Sequence, residues 1–242
     1  MTRIFQSIPL TVGASIALDQ KASHHLINVL RVKTRETITL FNNQGGEYAS
    51  IITDISKKSV TVEIKQHLLN NKESPLKIIL AQGISRGEKM DFTIQKAVEL
   101  GVHKIVPLFT EFCNVKLDKE RESKRLSHWQ SVIISACEQS GRNLLPEITP
   151  PLTLKTWVNT REKNTAYILS PDAALQFKQC APEASSQIEI LIGPEGGFSQ
   201  EEINLATTQG YQPIKLGPRI LRTETAALAA ISTLQSLYGD LG

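Results

Sequence analysis

Cysteine is scarce in this chain of 242 residues, long apolar runs are missing, and net charge is nearly so. Cys113, Cys137 and Cys180 stand far apart and form no CxxC. That argues against a disulfide scaffold and a structural zinc site and fits a reduced, cytoplasmic interior. No apolar run approaches the ~20 residues of a membrane-spanning helix, and the opening MTRIFQSIPL lacks the apolar core and cleavage pattern of a secretory leader. No membrane partner is expected. The formal charge of +3 permits a nucleic-acid partner without demanding one. It is unevenly spread: residues 1–72 carry nine Lys and Arg against five Asp and Glu, or +4, while residues 73–242 carry 18 against 19, or −1. Short-period repeats are absent. So are the phosphate-binding P-loop, the dinucleotide G-x-G-x-x-G, the G-x-S-x-G elbow and H-E-x-x-H. His24 and His25 adjoin, but no other His or Cys lies at ligand spacing, so no metal is expected.

What is present falls into two parts. Residues 1–72 read as mostly β, with Thr37–Phe41, Gly46–Ile52 and Ser59–Ile64 separated by Asn-, Gly- and Ser-rich turns. The exception is Ser23–Leu30, where Ser23 is placed to cap a short helix. Arg3, Arg31, Lys33 and Arg35 add charge to this small barrel-like domain, as solvated surface or as RNA contacts. The polar stretch Asn70–Pro75 marks the boundary, giving domains 1–72 and 73–242.

After the boundary the periodicity changes. Leu76–Ala81 reads as a strand, Lys89–Leu100 as a helix with Met90, Ile94, Ala97 and Val98 inward, and Lys104–Phe109 as the next strand. A long helix over Lys119–Ser140 follows, with Leu126, Trp129, Ile133 and Cys137 as its inner stripe. Then come a short helix around Leu152–Val158, a strand at Thr165–Leu169, a helical piece at Ala173–Cys180 and a loop at Pro182–Gln187.

The last quarter repeats one grammar, in which an apolar strand runs into a glycine-containing loop and then a helix. Ile188–Ile192 leads into Gly193-Pro194-Glu195-Gly196-Gly197, and Ser199 with Glu202 has capping-box spacing for a helix that stops at Gly210. Gln212–Leu216 leads into Gly217-Pro218, and Thr223 is a candidate cap for an alanine-rich helix to about Leu237. Loops at the carboxyl ends of such strands are where α/β sheets bind ligands. A glycine-and-apolar wall suits a flat uncharged ring such as adenine, with Glu195 and backbone groups left for hydroxyls or an amino group. That favours a nucleoside-like ligand without a polyphosphate.

LIGPEGGFSQEE followed by LGPRILRTETA resembles the signature pair of the SPOUT class of S-adenosylmethionine-dependent RNA methyltransferases. Across its whole length the chain is similar to the bacterial 16S ribosomal RNA uridine N3-methyltransferase family. RIFQ at Arg3–Gln6 and HHLINVLRV at His24–Val32 resemble its PUA-like RNA-binding domain. RGEKMDFTIQKAVELGV at Arg86–Val102 and EQSGR at Glu138–Arg142 resemble its methyltransferase domain. One departure is Thr34-Arg35-Glu36, where the family usually turns with Gly-Asp.

The resemblance implies an α/β protein: a C-terminal trefoil-knotted methyltransferase domain, a small N-terminal β-barrel, and a homodimer joined partly through Glu224–Leu237. It implies S-adenosylmethionine held by Gly193, Glu195, Gly196 and Gly197 from the first loop and by Leu216, Gly217, Ile220 and Leu221 from the second, with Leu169 a further wall candidate. The partner would be 16S ribosomal RNA in the small subunit, contacted by Arg3, Arg31, Arg86 and Lys89. Arg222 is the first candidate for an electrostatic role in catalysis, with Glu138 and Arg142, one helical turn apart, as further candidates. The general base stays unassigned. Two alternatives stay open: another RNA acceptor, such as transfer RNA or a ribose 2′-hydroxyl, and a non-catalytic RNA-binding or ribosome-assembly factor.

Overall fold

Residues 2–115, 118–162, 164–180 and 187–242 are described by the structure, a computed structural model. It divides into two units: Met1–Glu73 with Cys137–Leu145, and Ser74–Ala136 with Pro146–Gly242.

The first unit is built on β1 (Arg3–Phe5), β2 (Ser15–Ala17), α1 (Gln20–His24), β3 (Thr37–Phe41), β4 (Glu47–Ile55) and β5 (Val60–Leu68). Its sheet runs β1-β3-β4-β5-β2, with β1 parallel to β3 and the other pairs antiparallel. Val60, Val62 and Ile64 take one face by period-two alternation, and join Ile4, Leu18, Leu26, Ile38, Leu40 and Ile52 in a core that is almost wholly buried. Where a barrel was expected, the described residues form this five-stranded sheet with β1 and β2 at its edges.

Helix α1 starts earlier than Ser23. Asp19 is its cap, accepting the Ala22 amide at 2.9 Å, and a π-helical turn over His25–Leu30 continues it. Ser23 is buried instead, donating to the Leu18 carbonyl at 3.2 Å and accepting the Val60 amide at 3.1 Å. A carboxylate is the stronger acceptor for orphan helix amides, so the hydroxyl is left to satisfy the sheet. The turn into β3 needs a left-handed residue. Arg35 supplies it at φ 71°, and its amide donates to the Ile52 carbonyl at 2.7 Å.

The second unit contains β6 (Lys77–Gly83), α2 (Glu88–Glu99), β7 (Lys104–Phe109), α3 (Lys119–Ser140), β8 (Glu147–Ile148), β9 (Leu152–Thr153) and α4 (Leu154–Thr160). It continues through β10 (Thr165–Leu169), β11 (Gln187–Ile192), α5 (Gln200–Thr208), β12 (Gln212–Ile214) and α6 (Thr223–Tyr238). The last residues of α3, from Cys137, are those counted with the first unit. The sheet is parallel throughout, in the order β12-β10-β11-β6-β7-β8, with β9 also paired to β7. Ile79, Ala81, Val106, Leu108, Ile168 and Leu191 share a core with Trp157 of α4 and Ala206 of α5. Ile78, Leu80, Ile188 and Ile190 alternate with that set and are fully buried, and α6 packs on β6, β11 and α2. Both faces are covered, which is why these strands read as continuous apolar runs.

Three expected elements differ. Thr153 caps α4 with its hydroxyl, so that helix starts at Leu154 while Leu152–Thr153 pairs with β7. Strand β12 ends at Ile214, not Leu216. Over Ala173–Cys180 only Phe177–Gln179 is helical, as one 3₁₀ turn. Leu175 there bridges Ile214 in parallel sense and its carbonyl accepts the Lys215 amide at 2.9 Å, so sheet-edge pairing wins over helix. The loop expected at Pro182–Gln187 falls, up to residue 186, outside the described residues. All three cysteines are free; burial pushes the Cys137 thiol up to about 12, as befits an unreactive core residue. Among the described residues there is no cluster suited to a metal, and no helix long and apolar enough to cross a membrane.

A non-glycine residue in the left-handed region costs about 1–2 kcal/mol, while glycine loses about 0.4–1 kcal/mol more chain entropy on folding. Arg35→Gly is therefore expected to stabilise the protein by roughly 0.5–1 kcal/mol, read by calorimetry as a melting temperature about 2 °C higher. A lower melting temperature would show that Arg35 is held by its side chain instead.

Candidate active site

Parallel strands release their loops at one edge of the sheet, so β10, β11 and β12 deliver three loops to the same place. Between them lies a cavity of about 600 Å³, walled by residues 169–172 at and after the end of β10, 192–198 at and after the end of β11, 214–217 and 219–221 at and after the end of β12, and the first turn of α6. Leu169, Gly193, Glu195, Gly196, Gly197, Leu216, Gly217, Ile220 and Leu221 all line the cavity, as do Lys89 and Arg222. Sequence reasoning missed Asp172, Phe198 and Thr223 as lining residues. Asp172 stands on the same loop as Leu169, which it did select, so loop proximity was the available signal.

The loop after β11 is held from several sides. A Cβ on Gly83 would lie 2.5 Å from both the ring Cδ and the nitrogen of Pro194, so this loop rests directly on the bare backbone at the end of β6. Thr223 does not cap α6: Arg222 occupies the cap position, and Thr223 is the first helical residue. Its hydroxyl donates to the Gly193 carbonyl at 2.6 Å and accepts the Gln82 carboxamide N–H at 2.9 Å. Glu195 accepts from the Lys89 ammonium at 3.1 Å and the Arg86 amide at 3.2 Å. Burial alone would raise the Glu195 carboxyl, but its own amide, Lys89 and the Arg86 amide outweigh that and hold it below the usual carboxylate range. Ser199 and Glu202 form the expected capping box on α5, and the second Glu202 oxygen takes the Glu111 amide at 2.8 Å.

Arg222 is exposed, and its guanidinium makes no hydrogen bond or ion pair among the described residues. A cation at a helix N-terminus is opposed by the helix dipole. Nothing in the packing accounts for Arg222 at that position.

Glu138 and Arg142 do not line the cavity; both belong to the first unit. Glu138 accepts the Phe5 amide at 3.0 Å, and burial raises its carboxyl above the ordinary value. Arg142 is 5% exposed and grips Glu73 through Nε at 2.8 Å and a terminal nitrogen at 2.6 Å. Arg3 is also engaged, ion-paired to Glu47, donating to Asn143 at 2.7 Å and lying over the Phe41 ring. Arg31 and Arg86 are exposed, and Lys89 is half-buried against Glu195. Of the four cations expected to meet RNA, Arg31 and Arg86 thus have the most open side chains.

An RNA methyltransferase domain family matches residues 72–235, and an RNA methyltransferase PUA domain family matches residues 18–65. The chain is 42% identical to the ribosomal RNA small subunit methyltransferase E of Buchnera aphidicola from Schizaphis graminum, over 99% of this chain and 97% of that protein. Its counterpart of the same name in Bacillus subtilis is 30% identical over 90% of each. Among solved structures, the Neisseria gonorrhoeae ribosomal RNA small subunit methyltransferase E bound to S-adenosyl methionine superposes with a TM-score of 0.94, at 42% identity and 100% coverage of both chains. A Legionella pneumophila protein in complex with the bound cofactor SAM gives 0.95, at 44% identity and 99% coverage of both.

Two outcomes follow from this geometry. Gly83→Ala must displace the Pro194 loop, and overpacking of this kind costs about 1–3 kcal/mol; denaturant unfolding should show that loss, and parent-like stability would mean the loop yields freely. Glu138→Gln keeps an oxygen for the Phe5 amide and removes a buried charge. Because the folded carboxyl is raised, the stability it contributes is full below its unfolded value of 4.5 and is lost as pH rises through the folded value. Urea unfolding from pH 4 to 8 should therefore favour the Gln variant increasingly as pH rises; a constant difference would overturn this.

Proposed function

The chain belongs to the RNA methyltransferase family, and on that footing we propose that it methylates small-subunit ribosomal RNA with S-adenosylmethionine, at N3 of one uridine in 16S RNA. The observation that carries this reading is the cavity itself: three loops at the carboxyl ends of β10, β11 and β12, walled mainly by glycine backbone and apolar side chains, with Arg222, unpaired among the described residues, at its edge. Its volume and predominantly apolar wall suit a nucleoside-sized cofactor. Leu169, Gly193, Gly197 and the stretch from Leu216 to Leu221 would hold that cofactor, which supplies a methyl group on positively charged sulfur.

The chain's own residues must handle the acceptor. N3 of uracil carries a proton at neutral pH, and losing it puts negative charge on the flanking carbonyl oxygens. Arg222 is suited to stabilise that charge, because its guanidinium meets no carboxylate among the described residues. Glu195 instead anchors its loop to Lys89 and the Arg86 amide. The first unit, through Arg31, would present the RNA.

Two further features belong to this reading. Strand order β12-β10-β11-β6 separates the consecutive strands β11 and β12 by the earlier β10, which supports the trefoil-knotted SPOUT arrangement. The half-exposed Leu228, Ala229 and Ser232 on α6 support a homodimer joined through that helix. Work on ribosomal RNA would place the protein in the cytoplasm.

Nucleoside mass spectrometry of small-subunit RNA from cells lacking the gene should show N3-methyluridine lost; its persistence at the normal level would sink the proposal. Transfer to transfer RNA in place of assembled subunits would redirect it to another acceptor. Arg222→Ala is expected to slow single-turnover methyl transfer by about 100-fold with RNA affinity little changed, and an unchanged rate would remove Arg222 from the chemistry.

A further inference from the structure

Gln82 is fully buried at the end of β6, and its carboxamide does not touch solvent. The nitrogen donates to the Gly83 carbonyl at 3.0 Å and to the Thr223 hydroxyl at 2.9 Å, and lies 3.5 Å from the Gly193 carbonyl. Thr223 passes the connection on to Gly193 at 2.6 Å. The other end of the carboxamide, Oε1, is buried without a hydrogen-bond partner among the described residues. An apolar side chain of similar shape would fill the same space without stranding a polar atom. Packing therefore does not account for glutamine here, whereas its N–H donors do.

Those donors tie the start of α6 to the end of β6 and to the start of the loop after β11, two segments that the pairing of Gln82 with Ile192 already brings together. The residue before Thr223 is Arg222, whose own side chain is held by nothing among the described residues. Its backbone is joined to Thr223 and its carbonyl accepts the Ala226 amide at 2.8 Å, so Arg222 stands where the first turn of α6 places it. We propose that Gln82 and Thr223 form a positioning relay that ties the Gly193 carbonyl to the first turn of α6 and so fixes where Arg222 stands relative to the cavity. The inference rests on the cavity being the S-adenosylmethionine site.

A relay of this kind separates binding from chemistry. Misplacing Arg222 slows transfer more than it weakens the cofactor, because the cavity wall is mostly backbone and apolar side chain. The two residues act as one unit, so their losses do not add.

The experiment compares Gln82→Met, Thr223→Val, Thr223→Ser and the Gln82→Met/Thr223→Val double variant in the full-length protein. S-adenosylmethionine affinity is read by calorimetry, single-turnover transfer on unmethylated small subunits by nucleoside analysis, and folding by melting temperature. Thr223→Val and Gln82→Met are expected to lose about 30-fold in transfer and about 3-fold or less in cofactor affinity. Thr223→Ser, which keeps the hydroxyl, recovers most of the rate, and the double variant is no slower than the worse single one. Parent-like transfer by Thr223→Val, equal damage from Thr223→Ser, or multiplying losses in the double variant would each overturn the relay. If Gln82→Met does not fold, the Thr223 pair decides. Failure of the parent to bind S-adenosylmethionine would instead remove the cofactor reading, and the relay with it.

Discussion

The site depends on how closely two backbones meet. Pro194 rests on Gly83 at a separation that leaves no space for a methyl group, so the loop after β11 is seated on the end of β6. That contact fixes where Gly193 begins, which fixes what Thr223 can reach, which in turn fixes the start of α6. Each step is short-range. Together they hold the loop after β11 and the start of α6 in the wall of one cavity.

Side chains add restraint from outside that contact. Glu195 reaches across to Lys89 and the amide of Arg86. Glu202 divides its carboxylate, one oxygen closing the capping box with Ser199 and the other taking the Glu111 amide after β7. The charged groups of the loop are therefore largely occupied in holding it. Arg222 differs, being exposed, unpaired among the described residues and on the unfavourable end of a helix dipole. Its guanidinium is therefore open to a bound molecule.

Much of this was legible from the residues. Period-two runs with turn residues located β3, β4 and β5, and apolar runs with capping signals located β10, β11, α3 and α5. These features are local, and local patterns are what a sequence displays. What it hid was tertiary. Ser23 and Thr223 both looked like helix caps, because a hydroxyl before an apolar run usually is one; both are used instead to satisfy distant backbone. Residues 173–180 looked helical, and pairing of Leu175 with the end of β12 overrides that preference. Glu138 and Arg142 were expected near the site at one-turn spacing; the partners they have within the first unit, Phe5 and Glu73, lie far away in sequence and could not be read from it.

Gly197 has φ 72° and open space where a side chain would stand, and Gly193 and Gly196 expose main chain to the same cavity. Whatever binds there is met in good part by peptide groups. Peptide groups do not change when a codon does. A competitive inhibitor that gripped those amides and carbonyls would leave the protein few single substitutions by which to escape it, since any side chain added at Gly193 or Gly196 would collide with the protein's own atoms before it excluded the inhibitor.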